Sequence, residues 1–559
     1  MVRIRRLAHL AAAALAATSI AAPAFGANLF RYVEAPKSSR PPVMLAAPVA
    51  VEMDFAAVLA AGPGATLEGM LPNGKAFTMR IDRVERHANG DVSWHATVLD
   101  LVRGDLSATG TTGAAGTYAE IDTRDGTWGI VPSNDGHEWL FDKTAAQENL
   151  PLPQRADDAV RAPIEYDARA KLVCPINAGM PASQVTIDVL AVITPDFVST
   201  HGGMAGAETR LNNIFANLNT YFANSNIAII YRRVGTMQAA YQAASTAGDA
   251  DNNALTAITN GTGSFANVSA IRNFYGADMV AMFRGPRNAT GNSISGIAWV
   301  SGDENGNMPA SGVNYMYSVS GDWLFPGATL PAHELGHNLG NNHDRPNAGT
   351  APFGGTTTYS FGHFVCGTGA DAACGSAGAN NTGTGFGTIM AYHRPTVAKF
   401  SSPNLTCQGT QAGAVAGPCG VANQQDDVRA TNCVRQTVAN FKTSWVGNCS
   451  NLSADADNDG IPDCVEAGSG RVNGVKDNDI FTNGLLFSAQ QYRDFLAREP
   501  EADGLNFWAG ALASGTQTRG AMVESFFNSA EFQGVIAPVA RLYFAYFRRI
   551  PDYAGLQYW

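Results

Sequence analysis

A twelve-residue run, His333-Glu334-Leu335-Gly336-His337-Asn338-Leu339-Gly340-Asn341-Asn342-His343-Asp344, gathers residue types that can do chemistry together. His333 and His337 stand one helical turn apart, so both imidazoles reach the same side of a helix and can share one metal ion, with Glu334 beside them. Gly340, three residues after His337, can stop that helix in a left-handed conformation and let the chain bring His343 round to the same ion. Three neutral nitrogens leave the fourth position of a zinc ion open, which is the arrangement of a catalytic site rather than a structural one. Glu334 is then free of ligand duty and can act as a base toward a water that attacks a carbonyl. The bland alternative is a helix whose histidines merely lie on a polar face. A bare two-histidine match leaves that alternative open, and the full twelve-residue form speaks against it.

The run resembles the metzincin metallopeptidase signature at every fixed position, and Asp344 directly after the third histidine resembles its adamalysin or reprolysin branch. The resemblance implies Zn2+ on His333, His337 and His343, and Glu334 as base and then as acid to the leaving amine, with Asp344 supporting the site. Metzincins also carry a methionine turn beneath the metal, and Gly387-Thr388-Ile389-Met390-Ala391-Tyr392 resembles it. Met390 would then floor the three imidazoles, although a methionine on its own is more often core packing. Tyr392 either leans toward the metal or the oxyanion, as in some branches, or simply packs. Within the bacterial members, Ile187 to Pro195, Tyr275-Gly276-Ala277-Asp278 and Gly385 to Tyr392 look like the peptidyl-Asp metalloendopeptidases and their reprolysin-like relatives. That resemblance spans roughly Val185 to Phe441. Cleavage before an acidic residue needs a cation beyond the scissile bond, and Arg394 either supplies it or is an ordinary surface arginine.

The elements that must position these residues are legible as runs. Thr186 to Ile193 is β-branched and apolar, as a buried strand should be. Ala207 to Ala223 repeats apolar residues at helical spacing. Further strands are expected over Asn226 to Val234, Ala277 to Phe283, Gly296 to Val300 and Tyr315 to Val319. The expected fold is α/β (α+β): helices on a twisted, mostly parallel five-stranded sheet, over residues 185–448. In the metzincin fold that this order resembles, Gly296 to Val300 is the edge strand above the cleft, with which an extended protein or peptide substrate pairs through its backbone.

Residues 27–184 alternate short strand-like runs with turn residues, for example Val92 to Val98 and the hairpin Tyr118 to Val131 turning at Asp125-Gly126. Their place before the peptidase-like segment makes them look like a β-rich propeptide. Arg103-Gly104-Asp105 could serve as an integrin-binding triplet, but such triplets are more often just turns. Cys174 has two readings, a thiolate that blocks the zinc of a zymogen or a disulfide partner. Cys366, Cys374, Cys407, Cys419, Cys433, Cys449 and Cys464 read as disulfides stapling Gly-rich loops in an exported protein; no CxxC pair supports a zinc knuckle.

Residues 1–26 carry Arg3, Arg5 and Arg6 before an apolar run and small residues at Ala24 and Gly26, the pattern of a cleaved signal peptide. Export to the periplasm or medium of a bacterium follows, with no membrane span expected after cleavage. Residues 449–470 contain Asp455, Asp457, Asp459, Ile461, Asp463 and Glu466 at the spacing of a Ca2+ loop, with Gly460 for the tight turn. The Asp-Gly-Ile-Pro-Asp core resembles thrombospondin type 3 repeats; an acidic loop without metal is the alternative. In residues 471–559, Tyr492 to Trp508 recurs as Tyr543 to Trp559, so a small helical repeat domain with an incomplete second copy is expected. It resembles a bacterial domain of unknown function, and its aromatics either pack or contact a cell surface or matrix.

The formal charge of -11 argues against a nucleic-acid partner, which would require a basic face. The whole reads as a secreted, calcium-supported zinc metalloendopeptidase made as a zymogen. The rival is a surface or matrix-binding protein with a vestigial metal site, and an intact Glu334 weighs against it.

Overall fold

The computed structural model describes residues 27–558 apart from 36–40, 42–46, 61, 134, 149–158, 165–173, 175–180, 182, 242–249, 286–295, 304–305, 323–326, 349–356, 368–383, 412, 448, 450–453, 470 and 477–478. The expected signal peptide and Cys374 lie outside the described residues.

The N-terminal strands close on themselves. β1 (Ala27–Asn28) runs parallel to β4 (Thr66–Met70), and β2 (Phe30–Tyr32) runs antiparallel to β3 (Val49–Met53), so one short segment joins both ends of the ladder around Leu29. Between them lie β5 (Ala76–Arg86), β6 (Val92–Val98), β7 (Ser107–Gly113), β8 (Gly116–Thr123), β9 (Gly126–Pro132) and β10 (Glu138–Asp142). Closure removes open edges. Period-two alternation sends Leu67, Met79, Trp94, Ala96, Ile121 and Leu140 inward, where they fill the barrel. Gly110 has no side chain because a Cβ there would strike the Trp94 ring.

The second sheet has six strands. β11 (Ala159–Arg161), β12 (Val185–Ile193), β13 (Ile229–Gln238), β14 (Met279–Arg284), β15 (Gly296–Val300) and β16 (Tyr317–Gly321) lie in the order β11-β15-β16-β14-β12-β13. The five expected strands are present. The sixth, β11, is a correction: it comes from the segment after the barrel and pairs parallel with β15, Ala159 opposite Ala298 and Arg161 opposite Val300. Three residues are too few to show a period, which is why the sequence does not reveal it. β15 runs antiparallel to β16, and the remaining pairs are parallel.

Both faces of this sheet are covered, and β12 shows how. Ile187, Val189, Ala191 and Ile193 enter one core with helix α1 (Met204–Asn224), while Leu190 and Val192 enter the other with α2 (Val268–Tyr275). Strand alternation therefore serves two layers of helices at once. α3 (Thr329–Asn338) and Met390 pack into the first core.

α1 also buries polar residues, among them Arg210, Asn212, Asn213 and Asn217. The barrel covers part of that face: Asn212 donates to Asp91 (2.9 Å), Asn213 to the Tyr118 carbonyl (3.1 Å), and Tyr221 to Glu120 (2.6 Å), which also pairs with Lys143. Arg103 donates to the Gly409 and Gln408 carbonyls, and Asp105 pairs with Lys399. The Arg-Gly-Asp triplet thus fastens the barrel to the second domain.

Cys174 is joined to Cys433 in α4 (Asp427–Val438), with the Cα atoms 5.5 Å apart. Its sulfur is committed, so the zinc-blocking thiolate is corrected in favour of the disulfide. Cys407 pairs with Cys419 and Cys449 with Cys464. No described helix is long and apolar enough to cross a membrane.

The tail contributes α5 (Gly484–Leu496), α6 (Ala502–Ala513) and α7 (Arg519–Phe527). Tyr492, Phe495, Met522 and Phe526 form its own small core. Ala489, Ala502 and Leu505 instead join the second core of the sheet.

Candidate metal centre

α3 places His333, Glu334 and His337 on the sheet, and the chain must then reverse. It does so at Gly340, whose φ is 88°, with the Gly340 amide donating to the His337 carbonyl (2.8 Å) and the Asn341 amide to the Gly336 carbonyl (3.0 Å). A side chain at that φ would be strained, so glycine is what permits the turn. His343 arrives beside the first two histidines. The Nε2 atoms of His333 and His337 lie 3.1 Å apart, as do those of His337 and His343.

Two backbone carbonyls settle the protons. Nδ1 of His333 donates to the Ile389 carbonyl (2.8 Å), and Nδ1 of His337 to the Asn341 carbonyl (2.9 Å). A carbonyl can only accept, so these Nδ1 atoms carry the protons and the neutral rings point bare Nε2 lone pairs at one another. Lone pairs that converge need a cation between them. Tetrahedral ligands about 2.0 Å from an ion stand about 3.3 Å apart, close to the spacing here. The donor set therefore fits a metal ion.

Around the histidines the packing leaves little slack. Met390 is fully buried, and its Sδ would lie 2.6 Å from a Cβ at Gly336, so glycine between the two helix histidines lets the methionine turn come up beneath them. Gly362 similarly lets the Met390 backbone approach. Glu334 is buried against the start of β15, where a Cβ on Gly296 would strike its carboxylate. The base thus stands where the edge strand begins. Asn338 donates to the Trp299 carbonyl (2.9 Å) and the Tyr317 carbonyl (3.1 Å), tying β15 and β16 to the metal helix.

Asp344 accepts from the Tyr392 amide (2.9 Å) and from Asn347 (2.8 Å). Burial raises its pKa, but the neighbouring His393, the Tyr392 amide and Asn347 outweigh that and hold it below the ordinary carboxylate value. The Tyr392 ring lies 4.3 Å from the His343 ring and 5.9 Å from that of His333. His393 stacks on Phe364 at 3.6 Å. Arg394 is half-buried, and burial pushes its guanidinium down to about 10.

The sequence reading did not contain the Ile389 and Asn341 carbonyls, which orient the ligands, nor Gly336 and Asn338. Backbone acceptors leave no mark in a sequence. The run Asn338, Asn341 and Asn342, polar residues inside an otherwise apolar helix end, was the available signal.

A second cluster is far simpler. Carboxylate oxygens of Asp455, Asp457 and Asp459 lie within 4.8 Å of one another. Gly460 turns the loop at φ 92°, and Asp463 accepts from the Ala456 amide (2.8 Å). Ile461 and Glu466 are buried beside it.

Comparison with known proteins bears on three segments of the chain. Residues 183–402 match the Metallo-peptidase family M12 (Reprolysin_5). Over that segment the chain is similar to the M12 metallopeptidases. That family implies a metal, and the three converging histidines form a group that could hold one. Residues 39–147 match a BamI lipocalin-like domain, and residues 486–536 a domain of unknown function, DUF4214. A peptidyl-Asp metalloendopeptidase from Pseudomonas aeruginosa is 25% identical over 321 residues, 54% of this chain and 48% of that protein. The chain therefore spans about half the length of that relative. Metalloproteinase-II from Bacteroides fragilis is 15% identical with a TM-score of 0.34, over 52% of this chain and 85% of its own.

Proposed function

We propose that this protein is an exported zinc metalloendopeptidase, made as a zymogen, that hydrolyses peptide bonds in protein substrates and prefers an acidic residue after the scissile bond. The observation that carries the reading is the convergence of three Nε2 atoms, those of His333 and His343 each 3.1 Å from that of His337, with the Nδ1 protons of His333 and His337 turned away to carbonyls, beside a buried Glu334. Bound zinc would supply Lewis acidity to the peptide carbonyl and to the attacking water. Glu334 takes the proton of that water and passes it to the amine that leaves. Burial beside Gly296 keeps its carboxylate where a substrate strand on β15 would bring its carbonyl. Ile389 and Asn341 hold the ligand rings in one tautomer, Met390 floors them, and Tyr392 packs over His343.

Zymogen behaviour is supported by β11, which sits on the very edge of β15 that a substrate would use. Export is supported by the disulfides and by the charge and apolar pattern at the N-terminus. The acidic preference rests on Arg394, and on the name of the Pseudomonas aeruginosa relative. A structural Ca2+ on Asp455, Asp457, Asp459, the Ile461 carbonyl, Asp463 and Glu466 completes the reading.

Cleavage of a peptide library by the matured protein tests it. Activity should vanish with a chelator, return with Zn2+, and favour acidic residues after the cut; Arg394→Met should remove that preference alone. Cleavage that survives complete metal removal would overturn the mechanism.

A further inference from the structure

Strand β13 ends the second sheet, so among the described residues one side of its backbone has no neighbouring strand. Open strand edges invite fraying and association. At the start of β13 the peptidase deals with this itself: Asn219 of α1 accepts from the Tyr231 amide (2.7 Å) and donates to the Tyr231 carbonyl (3.0 Å). At the far end, Ala239 turns its amide inward to the Ile193 carbonyl (2.9 Å), which leaves the amide and carbonyl of Gln238 facing out. Both are taken by α6. Asp503 accepts from the Gln238 amide (3.0 Å), and Asn506 donates to the Gln238 carbonyl (3.1 Å). One helix thus repeats, with two side chains, what Asn219 does with one.

The surrounding contacts bind the same helix to the peptidase core. Ala502 and Leu505 are buried with Leu190, Val192 and Tyr275, and a Cβ on Gly235 would lie 3.2 Å from that of Ala502. The Tyr275 hydroxyl donates to the Pro500 carbonyl (2.5 Å), and Asn267 donates to Asn506 (3.0 Å).

The internal repeat shows that this docking is not a general property of the module. Features internal to the fold recur in the second copy: Arg498 lies over Tyr492 at 5.1 Å and Arg549 over Tyr543 at 5.2 Å, and Gly504 and Gly555 each leave room for the tyrosine hydroxyl. Docking residues do not recur. Ala502, Asp503 and Asn506 of the first copy correspond, 51 residues on, to Tyr553, Ala554 and Gln557. Only the first copy carries the acidic acceptor at the capping position.

We propose that the first helical repeat, residues 484–513, serves as an intramolecular clamp of the peptidase sheet: α6 caps the open end of β13 and completes the apolar core behind it. The repeat is then part of the peptidase's folding unit rather than an appended adhesive module. Its function is to keep the sheet that carries the metal helix from opening at its edge.

Hydrogen exchange of the full chain tests this, comparing wild type with Asp503→Ala combined with Asn506→Ala. The expected result is exchange at the Gln238 amide at least about tenfold faster, unchanged exchange in β14, and a melting temperature lower by about 3 °C or more. Asp503→Asn keeps an acceptor and should keep the protection, and Gln557→Ala in the second copy should change nothing. If the double variant fails to fold, Asp503→Ala alone, which removes the acceptor of the Gln238 amide, gives the same comparison. Unchanged Gln238 exchange together with an unchanged melting temperature would overturn the proposal, as would melting of the tail separately from the peptidase.

Discussion

Gly336 shows how far one residue can be pressed between two functional demands. It sits between the helix histidines, and a Cβ there would meet Met390 Sδ at 2.6 Å and the Phe400 ring at 3.1 Å. Neither neighbour can retreat, since both are fully buried. Gly336→Ala should therefore destabilise the domain by about 1–3 kcal/mol through overpacking and weaken metal binding. Urea unfolding checks the first part and metal titration the second; an unchanged midpoint would show that the methionine turn yields more easily than its packing suggests. The histidines, Glu334 and Gly340 were legible because their chemistry dictates type and spacing together. Cys174 was not, because a lone cysteine's partner lies 259 residues away and only the fold brings Cys433 to it.

Among the elements, β15 carries the substrate argument, and Asn338 holds it to the metal helix. Asn338→Leu would leave the Trp299 and Tyr317 carbonyls without that donor, costing about 1–3 kcal/mol. The expected kinetic signature is a rise in KM larger than the fall in kcat, because the binding strand loosens while Glu334 and the ligands remain. A change in kcat alone would contradict this. Strand β8 gives a second test. Burial, then the adjacent Glu120, raises the Asp122 carboxyl to about 6 against the stabilising Thr127, Lys143 and Arg103. A carboxyl whose folded pKa is raised binds its proton more tightly in the fold. Its contribution to stability is therefore lost as pH rises through about 6. Asp122→Asn should raise the melting temperature at pH 7.5 and leave it unchanged near pH 4. Equal shifts at both values would assign the effect to packing. Strands β6, β12 and β15 were readable from alternation or apolar runs. β11 and the closure at Leu29 were not, since two- and three-residue pairings across long loops carry no local pattern.

For the molecule as a whole, the barrel and the tail meet the peptidase through different chemistry. The barrel side is largely hydrogen-bonded and charged, through Asp91, Tyr118, Glu120 and Arg103. The tail side adds apolar residues to a core. Polar interfaces separate at lower cost than shared cores, so the barrel is the part suited to removal. The disulfide adds a condition. A cut within 175–184 leaves the barrel linked through Cys174 to Cys433, so two fragments should appear on a denaturing gel only after reduction. Two fragments without reductant would place the cut ahead of Cys174. The contacts between barrel and helix α1 were not legible in the sequence: Asn212 and Asn213 carry no local mark of the barrel residues Asp91 and Tyr118 that they meet.

The central claim is that His333, His337 and His343 hold the ion with which Glu334 breaks peptide bonds. Its most direct test is peptide turnover by matured wild type and Glu334→Gln, with bound metal measured in both. The account predicts one metal per triad in each protein and a loss of about 10²–10⁴ in kcat for the variant. Comparable turnover by a metal-loaded Glu334→Gln protein would contradict it.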